Sequence, residues 1–563
     1  MTFSTPSRRV RKVAIVAAIA LAGSLTQVAL SSAATLPKVT RGGYITVGIP
    51  DSFVGYCEGE VLAHTALMGA RTIYEPWVEQ RADGKIVPYL LKSLTSSADG
   101  KIWILTVRDG INFHDGTPLD GAALVLNLQA ARGVLTLQGK MRSPGTGGSV
   151  TANIVNVELV TPMTVRVTLY QGDSDLKELL YRSGRFVARA PSQILGGTKC
   201  STTPIGTGAF TLVSTKLTEL VVKANPDYWR KAPGGGKLPY LAGITFTTLV
   251  ETQSRVSGVR SGVLDAALFS TGGEAKQIIS LQANSSVNTI ISPVEEYPTI
   301  WLNHKIAPFD SKNARLAFSH ALDREKFVKV RQKGMGGVPK SIVGPNSIMY
   351  NESGYASFDL AKAKKYVVAY TTETGKALEF STPYIAGSTE SFANATLMKQ
   401  MAEAAGMKVN LTPFTAAEVV QRSFPQQFQT VTIGVMEGTT AGYILPFLVS
   451  DMSGGNPTHV LAKTPLKVLF DIMNLSAFTD TTTDQLLFAA RAEPDLIKKT
   501  ALYKQATRRL QAEARVTNLV YTQRAVVYNK NLKGIGELGL VAGGLPRLIT
   551  NVGIDLTGVW LQK

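Results

Sequence analysis

Five histidines, two cysteines and a scatter of acids and aromatics are the residues of this 563-residue chain best suited to chemistry. His64, His114, His304, His320 and His459 form no H-E-x-x-H and no comparable metal spacing. No G-x-S-x-G elbow and no phosphate-binding loop occurs. Gly206-Thr207-Gly208 is too short for a dinucleotide fingerprint, which also needs a helix directly after it. We therefore assign no catalytic residue, no metal site and no cofactor. Cys57 and Cys200 are the only cysteines and have no metal-ligand spacing. In an oxidising compartment such a lone pair favours a disulfide over two free thiols.

The elements that would position these residues are those of a large folded chain. A length of 563 residues exceeds what one core supports, so two or three lobes are expected. Mean hydropathy is +0.08 and 18% of residues are charged, which argues against long disorder. Residues 1–34 have the pattern of an export signal: Arg8, Arg9, Arg11 and Lys12, an apolar run from Val13 to Leu21, and small residues Ser31 to Ala34 at a cleavage site. Polar Ser24, Thr26 and Gln27 interrupt the run before the roughly 20 apolar residues a spanning helix needs, although a retained anchor is the alternative. No cysteine near the cleavage site could carry a lipid. The formal charge is +18; four of those cations lie in segment 1–34, which has no acid, leaving +14 on the remainder. The cations are scattered rather than clustered, so a solvated basic surface is expected and nucleic acid is not.

Alternation marks strands at Tyr44–Ile49 and Trp103–Val107, a hairpin at 154–159 and 164–169, and further strands at 210–213, 220–222 and 244–247. Helical spacing marks about 60–74, 313–332 and 494–515, and Asp120 can cap a helix over 121–131. Strands and helices alternate without a fixed period, giving an α/β chain rather than a solenoid.

Several segments resemble the oligopeptide/dipeptide/nickel-type family of extracytoplasmic solute-binding proteins that serve ABC importers, also called family 5. They include Tyr74-Glu75-Pro76, Asp83-Gly84-Lys85-Ile86-Val87-Pro88, and the run from Leu105 through Arg108-Asp109-Gly110 and Phe113-His114-Asp115-Gly116-Thr117-Pro118. Pro204-Ile205-Gly206-Thr207-Gly208, Asn225-Pro226-Asp227-Tyr228-Trp229, Arg260-Ser261-Gly262, Pro308-Phe309-Asp310, Ala321-Leu322-Asp323-Arg324 and Asp555 to Trp560 extend the likeness over nearly the whole chain after the signal. The resemblance implies a periplasmic-binding-protein-like two-lobe clamp with an extra subdomain. Residues 35–69, 204–293 and 527–563 would form lobe I, residues 70–203 an inserted subdomain, and residues 294–526 lobe III. It also implies a small-molecule or peptide ligand between lobes, ABC permease subunits with a cytoplasmic ATPase as partners, and an exported monomer in the periplasm or cell envelope. Most of these motifs are expected to define the fold rather than touch ligand.

One stretch departs from the family. Peptide-binding members place an aspartate for the peptide's α-ammonium where this chain has Gly434 to Leu448, with Thr440, Tyr443 and Leu445 at the acidic positions. Either Glu437 takes over the aspartate's role or the ligand has no free α-amine. Simple di- and tripeptides are therefore expected to bind with dissociation constants above about 100 μM. The loop after the first strand faces the cleft in this family, which nominates Tyr56 and Glu58. Trp301 and Asn303 follow the point where the chain would cross lobes. Tyr56, Glu58, Trp301, Asn303, Glu437 and Tyr443 thus form the expected ligand set. Non-peptide alternatives are a sugar-like, amphiphilic or metal-chelate solute, or an envelope regulator or sensor that kept the fold.

Overall fold

In the computed structural model Tyr44–Ile49 lies in the middle of a seven-stranded sheet, parallel to both neighbours, with Val47 opposite Phe246 on one side and Ala266 on the other. The structure describes residues 39–57, 64–137, 140–141, 151, 153–181, 184–293, 296–437, 441–451, 473–550 and 552–562. Across the sheet the order is Phe210–Lys216, Glu219–Ala224, Gly243–Thr248, Tyr44–Ile49, Ala266–Ser270, Arg524–Asn529 and Val287–Ile291. Both faces are covered, as a mostly apolar central strand requires. Ala266 and Leu268 join the cluster of Ile45, Val47, Val222 and Phe246, while Ala267 and Phe269 join Val259, Ile278 and Leu281 on the opposite face. That period of two is the strand's own.

A second body is built on an antiparallel sheet ordered Leu91–Ser96, Ile102–Val107, Thr164–Leu169, Ile154–Thr161. The helix Gly121–Arg132 packs on it, capped at its start by Asp120, whose carboxylate accepts from the Ala123 amide at 2.8 Å. A third body centres on Glu296–Leu302, paired with Thr430–Glu437 and Val516–Asn518, beside the parallel pair Glu379–Ile385 and Lys408–Phe414. Residues 313–332 form two helices rather than one, Lys312–Ala321 and Arg324–Arg331. The break falls at Leu322 because Asp323 leaves the helical path and caps the second helix through the Lys326 amide.

The motifs that carry the family likeness meet each other inside this fold. Glu75, only 5% exposed, accepts from Tyr89 (2.9 Å) and Tyr228 (2.6 Å) on one oxygen and from Thr207 and Trp229 (both 2.8 Å) on the other. Arg230 completes the cluster by donating to the Tyr89 hydroxyl at 2.8 Å. His114 closes the same seam, its amide on Gly206 and its Nε2 2.9 Å from the Gly208 carbonyl. Motifs more than 100 residues apart are thus one packing unit at the junction of the first two bodies.

Candidate functional site

Two chain crossings join the seven-stranded sheet to the third body, between Val287–Ile291 and Glu296–Leu302 and between Val516–Asn518 and Arg524–Asn529. They are tied side by side. Arg524 is ion-paired with Glu296, Thr522 donates to Glu296 at 3.1 Å, and the Gln523 side-chain amide donates to the Ser292 carbonyl at 2.6 Å.

Beside these crossings lies a cavity of about 1150 Å³ to which all three bodies contribute. The turn at residues 82–87 and residues 174–178 come from the second body, Ile290, Ile291 and Leu548 from the region of the large sheet, and Ile348, Ala441 and Leu496 from the third. Leu496 is 65% exposed and Leu548 43%, so the cavity opens to solvent with apolar side chains in its wall. A smaller cavity of about 350 Å³ is lined by Gly272, Tyr384 and Glu390 among others.

Polar groups around the larger cavity are mostly committed to each other. Asp173, fully buried, is held by Arg491 through Nε at 2.7 Å and Nη2 at 2.5 Å. Asp175 receives Lys499 at 2.5 Å and the Tyr503 hydroxyl at 3.0 Å. These contacts fasten the segment before the helix Leu176–Tyr181 onto the helices Thr481–Ala492 and Leu496–Ala512. Asp83 is paired with Arg81 on its own hairpin, and Arg547 donates to the Gln80 side chain at 3.2 Å. Glu178 is different. Its Oε1 is 3.7 Å from the Lys177 ammonium, and its Oε2 has no hydrogen-bond partner. Burial first, and then the nearby Asp175 charge, push its carboxyl up to about 7, while Lys177 and Lys499 oppose the rise.

The expected ligand set divides. Tyr56 is 2% exposed, its hydroxyl 2.9 Å from Thr215, its carbonyl accepting from Arg189 (3.1 Å) and Gln193 (3.2 Å). Trp301 is fully buried, donates to the Ile433 carbonyl at 3.2 Å and leans on Phe447. Asn303 spends its amide on the carbonyls of Gln426 (2.7 Å) and Phe428 (3.0 Å) and its oxygen on the Lys305 amide. None of these three lines either cavity. Glu437 ends the strand Thr430–Glu437, in register with Glu296, and Tyr443 lies in the helix Ala441–Leu448, whose first residue lines the larger cavity. The side chains of Glu437 and Tyr443, and all of Glu58 and Thr440, lie outside the described residues. Glu178 was not among the expected residues; its only sequence signal is an acidic cluster, Asp173 to Glu178, with nothing to say which acid stays unpaired.

Cys57 and Cys200 form a disulfide with Cα atoms 4.9 Å apart, tying the exit loop of the first strand to the turn at Gly197–Ser201. The Gln193 amide bridges the same two segments, donating to the carbonyls of Tyr56 and Cys200 at 3.2 Å each. The described histidine side chains bond backbone carbonyls: His114 with Gly208, His304 with Arg515, His320 with Ser357. Among the described residues no group of three His, Cys, Asp or Glu side chains could hold a metal ion, and no helix is long and apolar enough to cross a membrane.

Residues 85–451 match the family described as "Bacterial extracellular solute-binding proteins, family 5 Middle". The glutathione-binding protein GsiB of Salmonella paratyphi A is 26% identical over 477 residues, covering 83% of this chain and 86% of its own. The nickel-binding periplasmic protein of Escherichia coli K12 is 29% identical over 318 residues, 54% of this chain and 57% of its own. A dipeptide-binding protein from Pseudoalteromonas sp. SM9913, solved in complex with Met-Leu, superposes with a TM-score of 0.76 at 18% identity over 92% of this chain and all of its own. These relatives are solute-binding proteins rather than enzymes, and that structure has the same clamp fold.

Proposed function

This chain belongs to the bacterial extracellular solute-binding proteins of family 5, the solute-capturing components of ABC importers, and from that premise we propose that it takes up a peptide or peptide-like solute in the 1150 Å³ cavity. The cavity carries the reading. Its volume lies just above the range of small-molecule sites, roughly 300–1,000 Å³, and its wall mixes exposed leucines with a few fixed charges. That mix suits a chain of amide and side-chain groups. Glutathione, named for one relative, and Met-Leu, bound in a similar structure, have this chemistry. A bare nickel ion is less well served, since no metal-holding group occurs among the described residues.

On this reading the protein is exported as a monomer, loses residues 1–34, and closes its lobes about the paired crossings when solute enters. It then docks on a membrane permease driven by a cytoplasmic ATPase. Titration calorimetry of ligand-free protein lacking residues 1–34 tests the ligand class, using peptides of two to five residues, glutathione, neutral sugars and a nickel–histidine chelate. Saturable binding of a peptide or of glutathione at or below about 10 μM is expected, roughly −7 kcal/mol. Saturable binding confined to the sugars or the chelate overturns the reading.

A further inference from the structure

We propose that Glu178 is the anionic anchor of the cavity and holds a cationic group of the solute, an ammonium or a guanidinium. The inference rests on the peptide-like reading above and adds to it the residue that receives the charge.

Three observations support it. Glu178 lines the cavity, with a side chain only 19% exposed. Among the buried side-chain atoms of the described residues that lack a partner, its Oε2 is the one carboxylate oxygen, and the residue that carries it lines this cavity. The neighbouring acids have no such capacity, because Asp173 is taken by Arg491, Asp175 by Lys499 and Tyr503, and Asp83 by Arg81. A desolvated carboxylate with an unused oxygen is costly until a donor reaches it. A solute cation entering the cavity is such a donor, and the bond it makes is charge-assisted.

Position matters as much as vacancy. The cross-body pairs Asp173–Arg491 and Asp175–Lys499 fix the start of the helix Leu176–Tyr181 against the third body. The helix Leu176–Tyr181 packs beside the helix Ala441–Leu448, with Leu179 and Asp175 next to Gly442, so Glu178 and Ala441, the first residue of the helix after Glu437, line the same cavity. The counter-charge missing from residues 440–445 is supplied from the neighbouring helix Leu176–Tyr181. On this assignment solutes with a free amine bind tightly, in contrast to the weak binding expected from residues 440–445 alone.

The charged groups facing Glu178 are Asp175 and Lys177 on its own segment and Lys499 from the helix Leu496–Ala512. Lys85, Asp83 and Arg547 share the cavity wall. Glu178 holds its proton to near neutrality, and a cation binds the deprotonated form, so binding below neutral pH expels a proton.

The test uses ligand-free protein and two probes: a pool of tripeptides with free N-termini and the same pool N-acetylated. Retained peptides are identified by mass spectrometry, and affinities and proton release are then measured by calorimetry in buffers of different ionisation enthalpy. The wild type is expected to retain free-amine peptides, or peptides carrying Arg or Lys, at least tenfold more tightly than their uncharged counterparts. Retention confined to free N-termini identifies an α-ammonium; survival of Arg- or Lys-containing peptides after acetylation identifies a side-chain cation. Glu178→Gln should abolish that preference, and the wild type should release close to one proton per cation bound at pH 6. Equal affinity of wild type and Glu178→Gln for the cationic peptides, or binding at pH 6 without proton release, overturns the assignment while leaving the peptide reading intact. Failure of the wild type to retain any of these peptides, with no binding of the other peptides or glutathione in the titration above, overturns both.

Discussion

Replacing Glu75 tests whether the family motifs are held together by one buried carboxylate. The side chain accepts four hydrogen bonds, from Tyr89, Tyr228, Thr207 and Trp229, at 2.6 to 2.9 Å. Glu75→Ala removes all four acceptors at once. Tyr89 and Tyr228 hydroxyls lie 3.5 Å apart and can turn toward each other, and the Thr207 hydroxyl can rotate. The Trp229 indole N–H cannot reorient without moving the ring. At about 1–3 kcal/mol for each buried donor left unpaired, with two left after those rearrangements, and a further cavity term, the loss should be about 4 kcal/mol. Glu75→Gln keeps one carbonyl for Thr207 and Trp229 and turns its amide toward the two tyrosine hydroxyls, which can accept; about 1–2 kcal/mol is expected. The measurement is urea unfolding followed by tryptophan fluorescence, which Trp229 reports directly, with the first transition compared because a chain of several bodies need not unfold in one step. If Glu75→Ala shifts that transition by less than about 1 kcal/mol, the carboxylate does not organise the seam and the motif convergence has no energetic meaning.

Three further outcomes follow from the same geometry. Cys57→Ser with Cys200→Ser opens a loop with a sequence separation of 143, worth up to about 5 kcal/mol in the chain-entropy account, so the thermal transition should fall by several degrees; an unchanged transition refutes it. Glu178 has a folded-state pKa raised from 4.5 to about 7, so its contribution is fully present below 4.5 and lost as pH rises toward 7. Ligand-free Glu178→Gln should therefore gain on wild type between pH 5 and pH 8 by up to about 3 kcal/mol, and a pH-independent difference in thermal unfolding would contradict this. Gly206→Ala would drive a methyl into the Ile73 carbonyl and the Tyr74 ring; a cost of about 3 kcal/mol in chemical denaturation is expected, and a neutral effect would show that the backbone can retreat there.

Much of the fold was legible because local physics suffices for it. Tyr44–Ile49, the hairpin of Ile154–Thr161 with Thr164–Leu169, and the Asp120-capped helix are set by alternation, turn residues and capping chemistry that neighbours in sequence supply. Even the break at Leu322 had its signal in Asp323, a helix-capping residue inside an otherwise helical pattern. The glycines of Gly206-Thr207-Gly208 marked a turn, but the reason both must be glycine is the passage of the Thr72 and Ile73 carbonyls against them, which only the folded chain reveals.

The site was less legible, and for one reason. Tyr56, Trp301 and Asn303 have side chains suited to a ligand, yet their hydrogen bonds go to Thr215, Ile433, Gln426 and Phe428, partners 123 to 159 residues away. Composition and spacing say what a side chain can bond, not what reaches it first. Glu178 is the converse. It stands in a run of acids that look alike in the sequence, and it is left with an unpartnered oxygen because Arg491 and Lys499, more than 300 residues further on, arrive at Asp173 and Asp175 instead. The α/β class and its local elements could be read from the residues alone, since these depend on short-range sterics and burial. Which charge stays uncompensated in the cavity was decided by tertiary structure alone, because compensation is a matter of distance in space.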